Sequence, residues 1–427
     1  EYAHQGGIPV VKVDTTDDSR ILITGGKDGV VKIWNCAALE HDVAVSSSYT
    51  FQVPDDGHRR AQRLRSLCTI RNSKAFAVGS DSGKVHLYRM QPSPSSMMAS
   101  EVCKLPSSTD LNMPLAVMCM EHFDTDLESL LVFARQHGEV TGWDVRSAHP
   151  CWSYKPNIPG LGVPSAMSLR SDGHSILMGT YSGALMLFDL RFLAPWRTWT
   201  VSSNAPILAL RSVGSQQCPG GVLTALGSDT NEIAIFDAAR GSCDTLFLTD
   251  TVAEKTKDSA VSVPALRELK VLPASRSATG SFGSDMTGPR KDSGSVRCLW
   301  SCANAPSRFF LAAGTDRQVR YWSLERQQAE TSAYMVTASE QADRGRDRPK
   351  YTSNQLGDVF VVQEQMGSRS ETMQRQGHKG MQGADDGKSR GGVNPNHRDA
   401  ILDMCVISLQ QDILITAGRD GLVKLWK

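Results

Sequence analysis

Thr416, Asp420 and Trp426, with His397 upstream, are the residues of this chain whose types could do chemistry together. A hydroxyl, an imidazole and a carboxylate within reach of one another are the parts of an activated nucleophile. The same set recurs near the start, where Thr24 and Asp28 precede Trp34 at the same spacings and His4 lies upstream. Two features argue against hydrolysis. The trio comes twice, each time with a Trp whose indole N–H needs an acceptor. It also sits on a tight Gly/Asp turn, not on a strand-to-helix elbow such as G-x-S-x-G. The set therefore reads as a buried relay in which indole, hydroxyl, imidazole and carboxylate satisfy one another. On this basis Trp426→Ala is expected to cost more stability than Phe236→Ala, which removes packing alone.

The elements that must position these residues are repeats. ILITGGKDGVVKIWN (21–35) and ILITAGRDGLVKLWK (413–427) each give an apolar strand, a Gly/Asp turn and an alternating strand closing on Trp. Degraded copies are AFAVGSDSGKVHLYR (75–89), LLVFARQHGEVTGWDVR (130–146), SILMGTYSGALMLFDLR (175–191), VLTALGSDTNEIAIFD (222–237) and FLAAGTDRQVRYWSLE (310–325). A four-stranded unit of this kind cannot bury its own faces, so seven copies predict an all-β, seven-bladed WD40 propeller spanning 1–427. The closing aromatics are Trp34, Tyr88, Trp143, Phe188, Phe236, Trp322 and Trp426, which puts blade ends near 35, 89, 146, 191, 237, 325 and 427. In the middle copies Val78, Phe133 and Met178 stand at the hydroxyl position, and His137 and Ser182 at the Asp position. Those blades are expected to rely on apolar packing.

In such repeats the Trp phrase ends the third strand and the outer fourth strand comes from the next repeat. The last blade then needs a closing strand from the N-terminal side, expected largely upstream of residue 1. The first residue is Glu, not Met, so the chain is expected to be a segment of a longer protein. Two long insertions interrupt the later copies. Residues 251–295 and 367–396 are poor in groups able to pack and are expected to be disordered. Within the second insertion, which covers 326–396, GDVFVVQ (357–363) is apolar enough to form an extra strand on the propeller.

Bulk properties narrow the function. Lys and Arg total 46 against 45 Asp and Glu, so no global field favours nucleic acid or an anionic membrane. The ten Cys include no CxxC pair, and several sit in apolar strand runs, as small buried thiols do. They are read as reduced and structural in a cytoplasmic protein, with no metal or cofactor. No apolar run is long enough to cross a membrane as a helix.

VTGWDVRS (140–147), GTYSGALMLFDLRF (179–192), NEIAIFD (231–237), GDVFVVQE (357–364) and the terminal TAGRDGLVKLWK together resemble one family. It is the vacuolar-protein-sorting, protein-kinase-like regulatory subunit of class III phosphatidylinositol 3-kinase, whose chain ends in a propeller. The resemblance runs from the first blade to the last residue and weakens across the insertions. It implies a kinase-like domain and a helical solenoid elsewhere in the full-length protein. It also implies a scaffold for phosphatidylinositol 3-phosphate production in autophagy and endosomal or vacuolar sorting. The implied partners are the lipid kinase catalytic subunit and coiled-coil subunits of the Beclin type. Membrane association would be peripheral, on endosomal and autophagosomal membranes, through the complex only. The chain itself lacks a His-Arg-Asp phrase, an Asp-Phe-Gly and a Gly-rich loop followed by a strand Lys.

Two features suggest other roles. WDVR with Arg146 and FDLR with Arg191 match the W-D-x-R box of substrate receptors for cullin-type ubiquitin ligases; a local Asp–Arg pair at a strand end is the plainer explanation. HRRAQRLR (58–65), with Arg59, Arg60 and Arg63, is a candidate contact for phosphoinositide or an acidic helix. The Phe/Leu-Arg-Arg-Gly signature of lipid-reading propellers is absent.

Overall fold

A computed structural model describes residues 9–16, 20–41, 46–54, 62–92, 97–105, 116–124, 129–147, 149–156, 158, 160–170, 172–201, 203–213, 221–227, 232–249, 264–267, 269–271, 296–302, 308–328, 334–336, 350–365 and 397–426. Among the described residues seven sheets follow one another along the chain, antiparallel apart from one parallel pairing in the fifth. Blade 1 holds β1 (Val10–Thr15), β2 (Ile21–Gly26), β3 (Val30–Asn35) and β4 (Tyr49–Gln52). Blade 2 holds β5 (Leu64–Ile70), β6 (Ala75–Ser80), β7 (Val85–Pro92) and β8 (Met97–Leu105). Blade 3 holds β9 (Val117–Asp124), β10 (Ser129–Arg135), β11 (Val140–Asp144) and β12 (Trp152–Tyr154). Blade 4 holds β13 (Pro164–Leu169), β14 (Ser175–Thr180), β15 (Ala184–Asp189) and β16 (Ala194–Val201). Blade 5 holds β17 (Ile207–Val213), β18 (Gly221–Leu226), β19 (Glu232–Asp237) and β20 (Ser242–Leu248); β21 (Leu269–Val271) follows it. Blade 6 holds β22 (Val296–Ser301), β23 (Phe309–Gly314), β24 (Val319–Ser323) and β25 (Tyr334–Val336). After β26 (Lys350–Leu356) and β27 (Val359–Gln365), blade 7 holds β28 (Ile401–Ser408), β29 (Asp412–Gly418) and β30 (Val423–Trp426).

The closing aromatics share one register. Each lies on the third strand of its blade, opposite an apolar residue of the second strand: Leu22↔Trp34, Phe76↔Tyr88, Leu131↔Trp143, Ile176↔Phe188, Val222↔Phe236, Phe310↔Trp322 and Leu414↔Trp426. The second strands β2, β6, β14 and β18 are buried throughout, because each sheet is covered on both faces by its neighbours. The core is accordingly divided into seven apolar clusters, one between each pair of adjacent blades. The turn between second and third strand needs a left-handed residue. Gly29, Gly83, Gly138, Gly183 and Gly421 supply it, and Arg317 does so in blade 6 at φ 64°.

The inner strands pack side by side around the axis, and β1 meets β28, so the ring closes. Asp403 of β28 accepts a hydrogen bond from the Val13 N–H of β1 at 3.0 Å and lies 3.6 Å from Lys12 Nζ. Among the described residues blade 7 has three strands, and β30 is only half-buried. The fourth strand expected from the N-terminal side falls outside them.

The insertions differ from expectation in part. β21 lies within 251–295 yet pairs antiparallel with β16 as a fifth strand of blade 4. It is anchored by a short turn, Ala265–Arg267, whose Leu266 is buried and donates its N–H to Glu232 Oε2 at 3.0 Å. The apolar run PALRELKV (264–271) is what a composition-based view of the whole stretch hides. In the second insertion the extra strand is β27, extending to Gln365. It belongs to a hairpin with β26 and pairs parallel with β20, so blade 5 has six strands. Residues 272–295 and 367–396 lie outside the described residues.

Candidate functional site

In blade 7 the relay is assembled by β29, β30 and the segment leading into β28. Trp426 Nε1 donates to Thr416 Oγ1 at 2.9 Å, and His397 Nε2 lies 2.8 Å from the same oxygen. The indole can only donate and the Asp420 carboxylate can only accept, so Thr416 accepts from the indole and its own proton is left for His397 Nε2. The imidazole proton is then on Nδ1, which faces both Asp420 oxygens at 3.2 Å. Arg398 and Leu422 N–H groups complete the carboxylate's shell. Burial raises the Asp420 pKa, but the His397 hydrogen bond and these N–H donors outweigh it and hold it below the usual value. Gly418 makes room, since a Cβ there would stand 2.2 Å from Asp420 Oδ1 and 2.5 Å from His397 Nδ1. Thr416 is 0% exposed, so no substrate reaches its hydroxyl.

In blade 1, Trp34 Nε1 donates to Thr24 Oγ1 at 3.1 Å, and Asp28 Oδ1 accepts from the Val30 N–H. His4 lies outside the described residues. The middle blades bury Val78, Phe133 and Met178 at the hydroxyl position. Blade 3 carries a substitute that the repeat pattern conceals: His137 stands at the Asp offset, but its partners Glu139 and Arg135 stand at other offsets. Glu139 Oε2 accepts from Arg135 Nη1 at 2.8 Å and lies 3.1 Å from His137 Nε2. The His137 hydrogen bond, with Ser153 and Arg135, pulls the Glu139 pKa from 4.5 to about 2 against the effect of burial. Trp143 Nε1 turns instead to the Ser147 carbonyl at 3.0 Å.

The rim arginines pair locally. Arg146 grips Asp144 through Nε at 2.9 Å and Nη2 at 2.7 Å, and Arg191 grips Asp189 through Nε at 3.1 Å and Nη2 at 2.7 Å. Arg63 is exposed, and its N–H donates to Asp81 Oδ1 at 3.2 Å. Arg59 and Arg60 lie outside the described residues.

The sequence view missed the charges around the axis. Inner strands enclose a cavity of about 140 Å³ lined by Lys12, Asp14, Glu121, Arg211, Arg297 and Asp403. Asp14 accepts from Thr69 N–H and Oγ1, both at 2.9 Å, and Arg211 lies 3.6 Å from Glu121. Burial pushes both the Asp14 and Glu121 pKa upward. Lys12 is raised chiefly by Asp403. Acidic and basic groups alternate here, so the cavity has no single-sign field to draw in a charged ligand. Burial also pushes the Cys119 thiol up to about 12 and the Cys68, Cys298 and Cys405 thiols well above 9.0, which keeps them protonated. Among the described residues no group of three or more His, Cys, Asp or Glu is placed to hold a metal ion.

Comparison with known proteins follows the repeats. Residues 2–35 and 391–427 match the family described as WD domain, G-beta repeat. The chain is 23% identical over 435 residues to the serine/threonine-protein kinase VPS15 of Arabidopsis thaliana, a match covering 97% of this chain. It is 25% identical over 231 residues to that of Saccharomyces cerevisiae, covering 53% of this chain. A probable vps15 kinase of Dictyostelium discoideum is 22% identical over 258 residues, covering 58%. All three of these relatives are VPS15 kinases by name. The matches span 27% of the Arabidopsis protein, 15% of the yeast protein and 12% of the Dictyostelium protein. A chain in the crystal structure of the mitotic checkpoint complex shares the fold, with TM-score 0.56 over 99% of this chain and 89% of that chain, at 15% identity.

Proposed function

We propose that this chain is the non-catalytic docking platform of a VPS15-like regulatory subunit within the class III phosphatidylinositol 3-kinase assembly. Its partners in that assembly are the lipid kinase catalytic subunit and Beclin-type coiled-coil subunits. It acts in phosphatidylinositol 3-phosphate production for autophagy and for endosomal or vacuolar sorting, held at those membranes through the complex. The observation that carries this is the alignment with a VPS15 kinase over 97% of the chain. The chemistry supports it: the set of groups in blade 7 that resembles a catalytic trio is sealed inside the blade and spent on mutual hydrogen bonds. A closed ring of seven blades offers a broad, rigid surface, as protein docking requires.

Removing residues 1–427 from the full-length subunit tests this. The expected result is loss of coiled-coil subunits from the purified assembly and lowered phosphatidylinositol 3-phosphate on endosomes and at sites of autophagosome formation. A truncated subunit that assembles every component and sustains normal lipid levels would refute the docking role.

A further inference from the structure

The large apolar side chains that are exposed among the described residues are concentrated on one blade. Among the described residues the large exposed ones are Tyr181, Phe192, Leu193, Trp196, Val271 and Leu356, and all but Leu356 belong to the blade 4 sheet or its turns. Tyr181 is on the turn between β14 and β15. Phe192 and Leu193 form the turn between β15 and β16, Trp196 lies just beyond it on β16, and Val271 ends the added strand β21. Exposures of 76% for Phe192, 59% for Trp196 and 66% for Val271 are far from what folding alone rewards.

The backbone is shaped to present them. Leu193 is left-handed at φ 49°, a conformation that a branched side chain rarely adopts. Trp196 stands out at a β-bulge, because Phe188 pairs with Pro195 and Leu187 with Arg197, leaving Trp196 unpaired between them. The same bulge in blade 5 falls on Asp244, where Arg326 satisfies the carboxylate at 3.1 Å. In blade 4 no such internal use is made of the bulged residue. The flanking cations lie over these rings, Arg191 5.5 Å from the Phe192 centroid and Arg197 5.8 Å from that of Trp196.

We infer that the rim of blade 4, built on Phe192, Leu193, Trp196 and Arg197, is a docking surface for an amphipathic helix of another protein whose apolar face is flanked by carboxylates. This rests on the docking role proposed above and specifies its site. Trp, Arg and aromatic anchors in one patch have the composition of interface hot spots. Arg197 has no carboxylate partner among the described residues, so an acidic residue on the occupant would complement it. A membrane is the poorer fit. Arg191 is already committed to Asp189, Arg146 to Asp144, and Arg240 lies 3.5 Å from Asp237, so the rim has little net charge to attract anionic lipid. Phe192 and Leu193 are side chains of a turn, and the bulge at Trp196 interrupts the ladder beside it, which suits a helix face more than an added strand.

The test titrates the full chain with the purified Beclin-type coiled-coil subunit, in parallel with vesicles containing phosphatidylserine and phosphatidylinositol 3-phosphate. Trp196→Ser and Phe192→Ser should leave the melting temperature unchanged and weaken subunit binding at least about tenfold. Arg197→Glu should weaken it as well, and Arg197→Lys should keep most of it. Wild-type affinity in all variants would overturn this surface and leave the docking role standing. No binding by the unaltered chain would overturn both. Variants that lose vesicle binding but keep subunit binding would replace the helix with a lipid surface.

Discussion

Thr416 is the residue on which the blade 7 relay turns, since it alone touches both the indole and the imidazole. Thr416→Val keeps the shape and leaves the buried imidazole and the half-buried indole without their shared partner, so a loss of about 2–4 kcal/mol is expected in denaturant melts. A loss under about 1 kcal/mol would show that the relay adds nothing. The structure reverses the expected order of two other changes. Phe236 is fully buried and meets Trp199 edge-on at 5.0 Å, whereas Trp426, on the third strand of blade 7, is half-buried. Phe236→Ala is therefore expected to cost about 3–5 kcal/mol, and Trp426→Ala less. Burial was the quantity that the shared spacing of the two aromatics could not reveal. Glu139 carries a pH dependence. Its folded pKa of about 2 lies below the ordinary 4.5, so its contribution is present above about pH 4.5 and is lost as pH falls toward 2. Glu139→Gln should flatten the acid limb of a stability–pH profile in that window, and an unchanged limb would argue against the network.

At the scale of elements, the repeat strands were legible because each repeat carries its own apolar run and closing aromatic, and five of the seven a turn glycine. β27 was legible for the same reason, in GDVFVVQ. Its partner β26, KYTSNQL, was not, because an edge strand with one solvated face has little apolar signal. The hairpin is tied to blade 6 by Arg320, which bonds Asp316 and also Glu364 at 2.8 Å, with Arg320 and Glu364 both buried. Glu364→Ala leaves that guanidinium with half its charge partners. It should destabilise by about 3 kcal/mol, because breaking a buried pair costs more than the pair contributes. Deleting 367–396 should leave the melting temperature nearly unchanged, since closure cost varies slowly with loop length. An outcome in which the deletion costs as much as Glu364→Ala would mean that the stretch packs on the propeller.

Over the whole molecule, seven apolar seams and a ring of polar contacts between inner strands hold the blades at fixed positions. Ser66 Oγ reaches the Val117 carbonyl, Ser301 Oγ the Ser212 carbonyl, and Asp403 the Val13 N–H, each crossing from one blade to the next. Such contacts depend on which strands become neighbours, so the sequence could not disclose them, and the charged axial cavity was hidden for the same reason. The rim of blade 4 was half visible: FDLRF was noticed for its Arg, while its exposed Phe192 and Trp196 needed the turn and the bulge to be seen. Rigidity of this kind makes a footprint measurable. Hydrogen–deuterium exchange of the chain, free and within the reconstituted lipid kinase assembly, tests the docking account most directly. The account predicts slowed exchange over a contiguous patch that includes 187–201, with the relay peptides of blade 7 unchanged. Identical exchange at every peptide in the two states would contradict it.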